Sequence, residues 1–153
     1  MDRIVPLRGL DLVRRRPEMY FPGGEVSAAT ICSYLADDAR ALGATQVRVD
    51  SVEQWHIVAA DVDWLRLPEA RRIDMDQLFL GMHVHPTRVN GIRSEMFVGA
   101  FAEAAYVGTP AEIRAVIGDC PLPEAVRHTM CTPPHLRGVA FVLATANNRW
   151  RGP

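Results

Sequence analysis

A chain of 153 residues has the length of one domain that can bury its own core without staples. Hydrophobic content of 48% and charged content of 23% are ordinary for a soluble globule, and a net charge of −1 excludes a nucleic-acid or membrane-surface binder held by bulk electrostatics. All seventeen positive side chains are arginine, so no lysine is present as a phosphate ligand, a Schiff-base amine or a general base.

Cys32, Cys120 and Cys131 are odd in number and irregularly spaced, as expected of reduced thiols in a cytoplasm. No apolar run reaches membrane-span length, and Met1-Asp2-Arg3 opens no signal-peptide core. A single domain over residues 1–153 is expected.

Along the chain, Leu7, Leu10, Leu12 and Val13 predict one or two helical turns ended by Pro17. The run Arg14-Arg15-Arg16 reads as a solvated face, with anion binding as the sharper use. Ser27 as N-cap and Gly43 just past the end bracket a helix whose stripe is Ile31, Leu35 and Leu42. Asp37 and Asp38 lie beside that stripe, either as solvated carboxylates or as groups projecting into a pocket; periodicity favours solvation.

Thr45 to Val52 alternates as a half-buried strand, with Val47 and Val49 on one face. A turn at Glu53-Gln54 leads into an antiparallel strand from Trp55 to Val62 that is apolar on both faces. Such a strand is either central or covered by a second subunit, so a homodimer through Trp55–Val62 is one expectation. Asp61 stands at its end, where binding groups often sit.

Pro68 to Arg72 is a charged loop, and Asp74 to Leu80 a short helix. His83 and His85 form a His-x-His pair, but no further ligand follows at a recognisable spacing and Pro86 suggests a loop. Hydrogen-bonding histidines are expected there and no metal. Gly91 to Tyr106 reads as the second main helix, on Ile92, Met96, Ala100 and Ala104, with Glu95 and Glu103 solvated. Thr109 to Glu112 is a capping box, yet Glu112 to Ile117 also fits a strand. Residues 119–137 are irregular around their prolines, with a helical turn at Glu124–His128, and Gly138 to Thr145 is a buried strand. The order predicts an α+β two-layer sandwich, a mixed or antiparallel sheet with helices on one face.

The stretch Leu10-Asp11-Leu12-Val13-Arg14-Arg15-Arg16-Pro17-Glu18-Met19-Tyr20 resembles the start of the N-terminal ATPase domain of gyrase B and topoisomerase IV B, roughly L-x-x-V-R-x-R-P-x-M-Y. A helix, a short hairpin, an acidic strand end and a long helix then follow in that family's order, and the resemblance covers most of residues 7–106. It implies the GHKL, or Bergerat, ATPase-like fold. The family's catalytic parts are changed here. Tyr34 stands where the water-activating glutamate belongs, and a tyrosine, neutral near pH 7, is a poor general base. Asp38 stands where the magnesium-binding asparagine belongs. The Asp-x-Gly-x-Gly stretch reads Asp61-Val62-Asp63-Trp64-Leu65, with both glycines replaced, and the glycine-rich phosphate lid keeps only Gly91.

The resemblance therefore implies a scaffold that no longer hydrolyses ATP. Its former nucleotide pocket offers Asp38, Asp61, Tyr34 and His83 as catalytic candidates, and Asp37, Trp64, Arg93 and Met96 as ligand-binding candidates. The expected partner is a small molecule, handled without cofactor by proton transfer of isomerase, cyclase or lyase type. A protein-interaction, regulatory or resistance module is the second hypothesis. Residual ATP or ADP binding without hydrolysis, resting on Asp61, is the third.

Overall fold

The structure, a computed structural model, describes residues 9–66, 75–81, 83, 85 and 91–144. The charged loop expected at 68–72, much of the stretch 82–90 and the tail from 147 lie outside the described residues.

The first helix, α1 (Gly9–Arg15), stops before Pro17, as the proline requires. Two short 3-10 turns, Pro17–Met19 and Pro22–Gly24, lead to α2 (Ala28–Ala41). The Ser27 hydroxyl caps α2 by accepting from the Thr30 N–H at 3.1 Å, and Gly43 ends it at φ 109°. A hairpin of β1 (Val47–Val52) and β2 (Trp55–Ala60) follows, closed by Glu53-Gln54 with Glu53 at φ 55°. Then come α3 (Gln77–Leu80), α4 (Glu95–Phe101), β3 (Ala102–Gly108), β4 (Ile113–Ile117), α5 (Glu124–Cys131) and β5 (Arg137–Leu143).

The expected α+β sandwich is what the chain forms. Five strands make one antiparallel sheet in the order β1-β2-β5-β3-β4, with helices packed against it. The larger core lies between the sheet and α1, α2, α3 and α4, and takes Val58 and Ala60 from β2 and Val139 and Phe141 from β5. In addition, α5 covers part of the opposite face, where Val126 and Met130 meet Trp55, Ile57, Ala140 and Val142. The two apolar faces of β2 are thus covered within the chain, by α2 and by α5. Nothing in that strand asks for a second subunit. Strand β1 is an edge, and its Val49 stays 51% exposed instead of joining the core.

Two expectations are corrected and one open choice is resolved. The helix read from Gly91 to Tyr106 is only α4, and its second half is β3. Alanine favours helix, but Ala104 and Ala105 are fully buried between β4 and β5, and strand pairing there outweighs intrinsic preference. The open choice at 109–117 resolves to a hairpin: Thr109 and Glu112 exchange backbone hydrogen bonds of 2.7 and 3.2 Å, and β4 follows. The arginine run is not uniformly solvated. Arg14 reaches the C-terminal end of α4, its Nε donating to the Ala100 carbonyl at 2.8 Å and a terminal nitrogen to that of Gly99 at 3.3 Å. These carbonyls have no partner inside the helix, so Arg14 caps α4 with charge of the favourable sign. Arg16 pairs with Glu18 at the surface.

Close approach of α3 to α4 depends on Gly99, where an added Cβ would lie 1.5 Å from the Phe79 carbonyl oxygen. Gly99→Ala is expected to destabilise the fold by about 3 kcal/mol, read as a lower urea midpoint at unchanged m-value. Arg14→Ala is expected to cost about 1–2 kcal/mol by the same measurement, because α4 then loses its charged cap.

Candidate functional site

The N-terminal end of α4 sits against α2 and the turn that follows β2, and four polar side chains are buried there. Asp38 on α2 and Glu95 on α4 are 0% exposed, Arg93 is 3% and Ser94 is 5%. Asp38 Oδ2 accepts the backbone N–H of Ser94 at 2.7 Å, which holds a carboxylate at the positive end of α4. The Arg93 Nε donates to Glu95 Oε1 at 3.0 Å, and one of its terminal nitrogens donates to the same oxygen. That nitrogen also donates to the Trp64 carbonyl at 2.8 Å, tying the turn after β2 to the start of α4. Trp64 itself is 2% exposed.

Glu95 corrects the sequence expectation most sharply, since it was expected in solvent. That expectation assumed a helix from Gly91. The helix begins at Glu95 instead, which turns this residue inward. Burial pushes its carboxyl above the usual glutamate range; the charge of Arg93 opposes this and that of Asp38 adds to it. The only local sequence signal is Arg93-Ser94-Glu95, opposite charges two apart immediately before an apolar helix.

The eight candidates divide between this cluster and other parts of the fold. Asp38, Trp64 and Arg93 belong to the cluster. Met96, fully buried, follows Glu95 in the main core. His83 adjoins it through the backbone, its carbonyl accepting the Arg93 N–H at 2.8 Å, while its Nε2 contacts the Gln77 carbonyl at 2.8 Å. Asp37 points away: its side chain is 53% exposed and pairs with Arg40 at 3.4 Å. One residue along a helix is a rotation of about 100°, so Asp37 and Asp38 cannot share a face.

Tyr34 and Asp61 serve local structure. The Tyr34 hydroxyl donates to the Tyr20 carbonyl, and its ring packs on Phe97 at 5.4 Å and Phe21 at 6.1 Å. Asp61 accepts the Thr45 N–H at 3.0 Å and the Thr45 hydroxyl, fastening the start of β1 to the end of β2. These contacts, led by the hydroxyl, hold its carboxyl below the usual aspartate range. Asp63 and Leu65, at the positions where the resembled family carries glycine, are built into the fold. Asp63 accepts two hydrogen bonds from Arg137, at 2.8 and 2.9 Å, and Leu65 is fully buried.

Other reactive features offer less. Burial raises the Cys32 thiol to about 11, so it is no nucleophile near neutral pH. Among the described residues no three potential ligands gather to hold a metal. A cleft of about 80 Å³ opens beside Arg137, lined by Met75, Val107, Thr109, Glu112 and Arg114. That is room for a few waters, well short of the several hundred Å³ an organic ligand usually occupies. No described helix is long and apolar enough to cross a membrane.

No protein-family model, curated protein or solved structure matches this chain.

Glu95 and Asp61, shifted in opposite directions, predict opposite pH dependences. A group with a raised folded pKa stabilises fully below its unfolded value, near 4.5 for Glu95, and loses that contribution as pH rises through the folded value. Asp61, with a lowered folded pKa, contributes above its unfolded value near 3.8 and loses the contribution as pH falls. Urea unfolding across pH is therefore expected to show the stability advantage of wild type over Glu95→Gln shrinking as pH rises above 4.5. The advantage over Asp61→Asn is expected to shrink as pH falls. An advantage over Glu95→Gln that grows with pH would mean that Arg93 outweighs burial.

Proposed function

We propose that this chain is a gyrase B-like domain that has lost ATP hydrolysis and uses the region between α2, the end of β2 and α4 to hold a small molecule. The observation that carries this reading is the buried cluster of Asp38, Ser94, Arg93, Glu95 and Trp64 at that junction. Burying ionisable groups is expensive, and a carboxyl perturbed as that of Glu95 is, inside a buried cluster, is characteristic of functional sites.

The gyrase B-like part rests on the Leu10–Tyr20 motif and on the order of helix, hairpin, acidic strand end and helix. Loss of hydrolysis rests on the replaced groups. The Tyr34 hydroxyl is committed to a backbone carbonyl, Asp63 is paired with Arg137, and Leu65 is packed inside. None of them is available to activate water or to admit a triphosphate. As a catalyst, the cluster suits cofactor-free proton transfer on a neutral substrate, in an isomerase, cyclase or lyase. The odd cysteine count fits a cytoplasmic protein, and the near-zero net charge fits one with no nucleic-acid partner. The covered faces of β2 give the protein-interaction reading no support.

Thermal unfolding tests this directly. ATP with magnesium at millimolar concentration is expected to leave the Tm unmoved and to release no phosphate. A small molecule from a metabolite and fragment library, present at about a hundred times its Kd, is expected to add about 2.7 kcal/mol, or about 5–10 °C in Tm. Asp38→Asn, which weakens the anchor on the Ser94 N–H, is expected to reduce that shift. Phosphate release, or a library in which no compound stabilises the native state, would overturn the reading.

A further inference from the structure

Two buried polar atoms in the cluster have no protein partner among the described residues. Arg93 directs both of its hydrogen bonds to Glu95 at one oxygen, Oε1, and Oε2 is left with none. The indole Nε1 of Trp64 is equally buried and equally without an acceptor. A guanidinium facing a carboxylate commonly uses both oxygens, as Arg137 does with Asp63. Glu95 departs from that geometry in a way that keeps one oxygen available. Buried polar atoms are nearly always satisfied, so an orphan in a native fold calls for a partner from outside the described residues. Here two orphans lie on residues joined through a single guanidinium.

The chemistry of the two atoms restricts the guest. An indole N–H only donates, so the group facing it must accept. An ammonium group offers only donors and fails there. A carboxylate or phosphate would accept, but it would bring negative charge toward the Asp38 carboxylate. A neutral oxygen satisfies Trp64, and it satisfies Glu95 when Oε2 carries the carboxyl proton. Burial favours that neutral form.

We propose that this site takes an uncharged carbonyl compound, a ketone, lactam or amide, whose oxygen accepts hydrogen bonds from Glu95 Oε2 and Trp64 Nε1. The assignment rests on the small-molecule reading and narrows it. Two neutral donors on one carbonyl oxygen also stabilise negative charge as it develops there, which suits an enolising substrate.

The Trp64 indole proton is itself the reporter. Its NMR resonance, identified by its loss in Trp64→Phe, can be titrated in the full chain with cyclohexanone and δ-valerolactam. Cyclohexanecarboxylate and cyclohexylammonium serve as charged counterparts. The two carbonyl probes are expected to shift the resonance saturably and the charged probes are not. Glu95→Gln places an amide donor where Oε2–H stood and is expected to hold carbonyl affinity within about threefold; Glu95→Leu is expected to lower it about tenfold or more. Where Glu95→Leu does not fold, Glu95→Gln decides alone, and loss of carbonyl binding in it overturns the proposal. Preference for either charged probe, or carbonyl binding that leaves the Trp64 resonance in place, also overturns it while a small-molecule site stands. Silence from all four probes overturns it as well, and the thermal screen then shows whether the broader reading falls with it.

Discussion

The structure turns on a single buried guanidinium. Arg93 is held inside the fold by the Trp64 carbonyl on one side and Glu95 on the other. The first contact secures the turn that leaves β2, and the second fixes the start of α4. Burying an arginine with a carboxylate gains little over packing apolar residues in their place, because desolvation consumes most of the attraction. Removing one partner is costly, since the other is then stranded. Such a pair is therefore a poor device for stability alone, and its position at the junction of three elements needs a further reason.

Asp38 supplies the next constraint. Its hydrogen bond to the Ser94 N–H connects α2 to α4 across the core. Through Asp38, Arg93 and Glu95, the polar cluster joins elements far apart in sequence, while apolar packing around Leu35, Phe79 and Met96 surrounds it. The lead-in segment contributes from the other end of the helix. Arg14 caps the last carbonyls of α4, and Tyr20 packs on Phe97 at 5.5 Å while its carbonyl receives the Tyr34 hydroxyl. The sequence motif Arg-x-Arg-Pro-x-Met-Tyr thus has local physical work to do at both ends of one short helix.

Much of the architecture was legible before the structure. Ser27 and Gly43 bounded α2, alternation and turn residues defined the β1–β2 hairpin, and β-branched residues after Gly138 defined β5. What failed was the stretch rich in alanine. Ala102 to Ala105 satisfies a helical spacing and a strand spacing equally well, and only pairing with β4 and β5, remote in sequence, decides between them. The same error hid Glu95, because a helix starting four residues early rotates it toward solvent. Asp38 and Asp37 show the same limit on a smaller scale. Composition and periodicity do not distinguish two adjacent aspartates on a helix, whereas burial of one against α4 separates them completely.

The turn after β2 carries side chains at the positions where the resembled ATPases have glycine. Glycine there keeps the backbone bare for a nucleotide. Asp63 instead binds Arg137 on β5, and Leu65 is packed into the core, so the turn is fastened down by side chains. Fastening the turn also fixes Trp64 between them, with its carbonyl on Arg93 and its indole N–H left without an acceptor among the described residues. Asp63 and Leu65 therefore hold a neutral hydrogen-bond donor in place. In that respect the same two contacts that leave no bare backbone at this turn also hold Trp64 in place, and the proposed site depends on that rigid, side-chain-anchored turn.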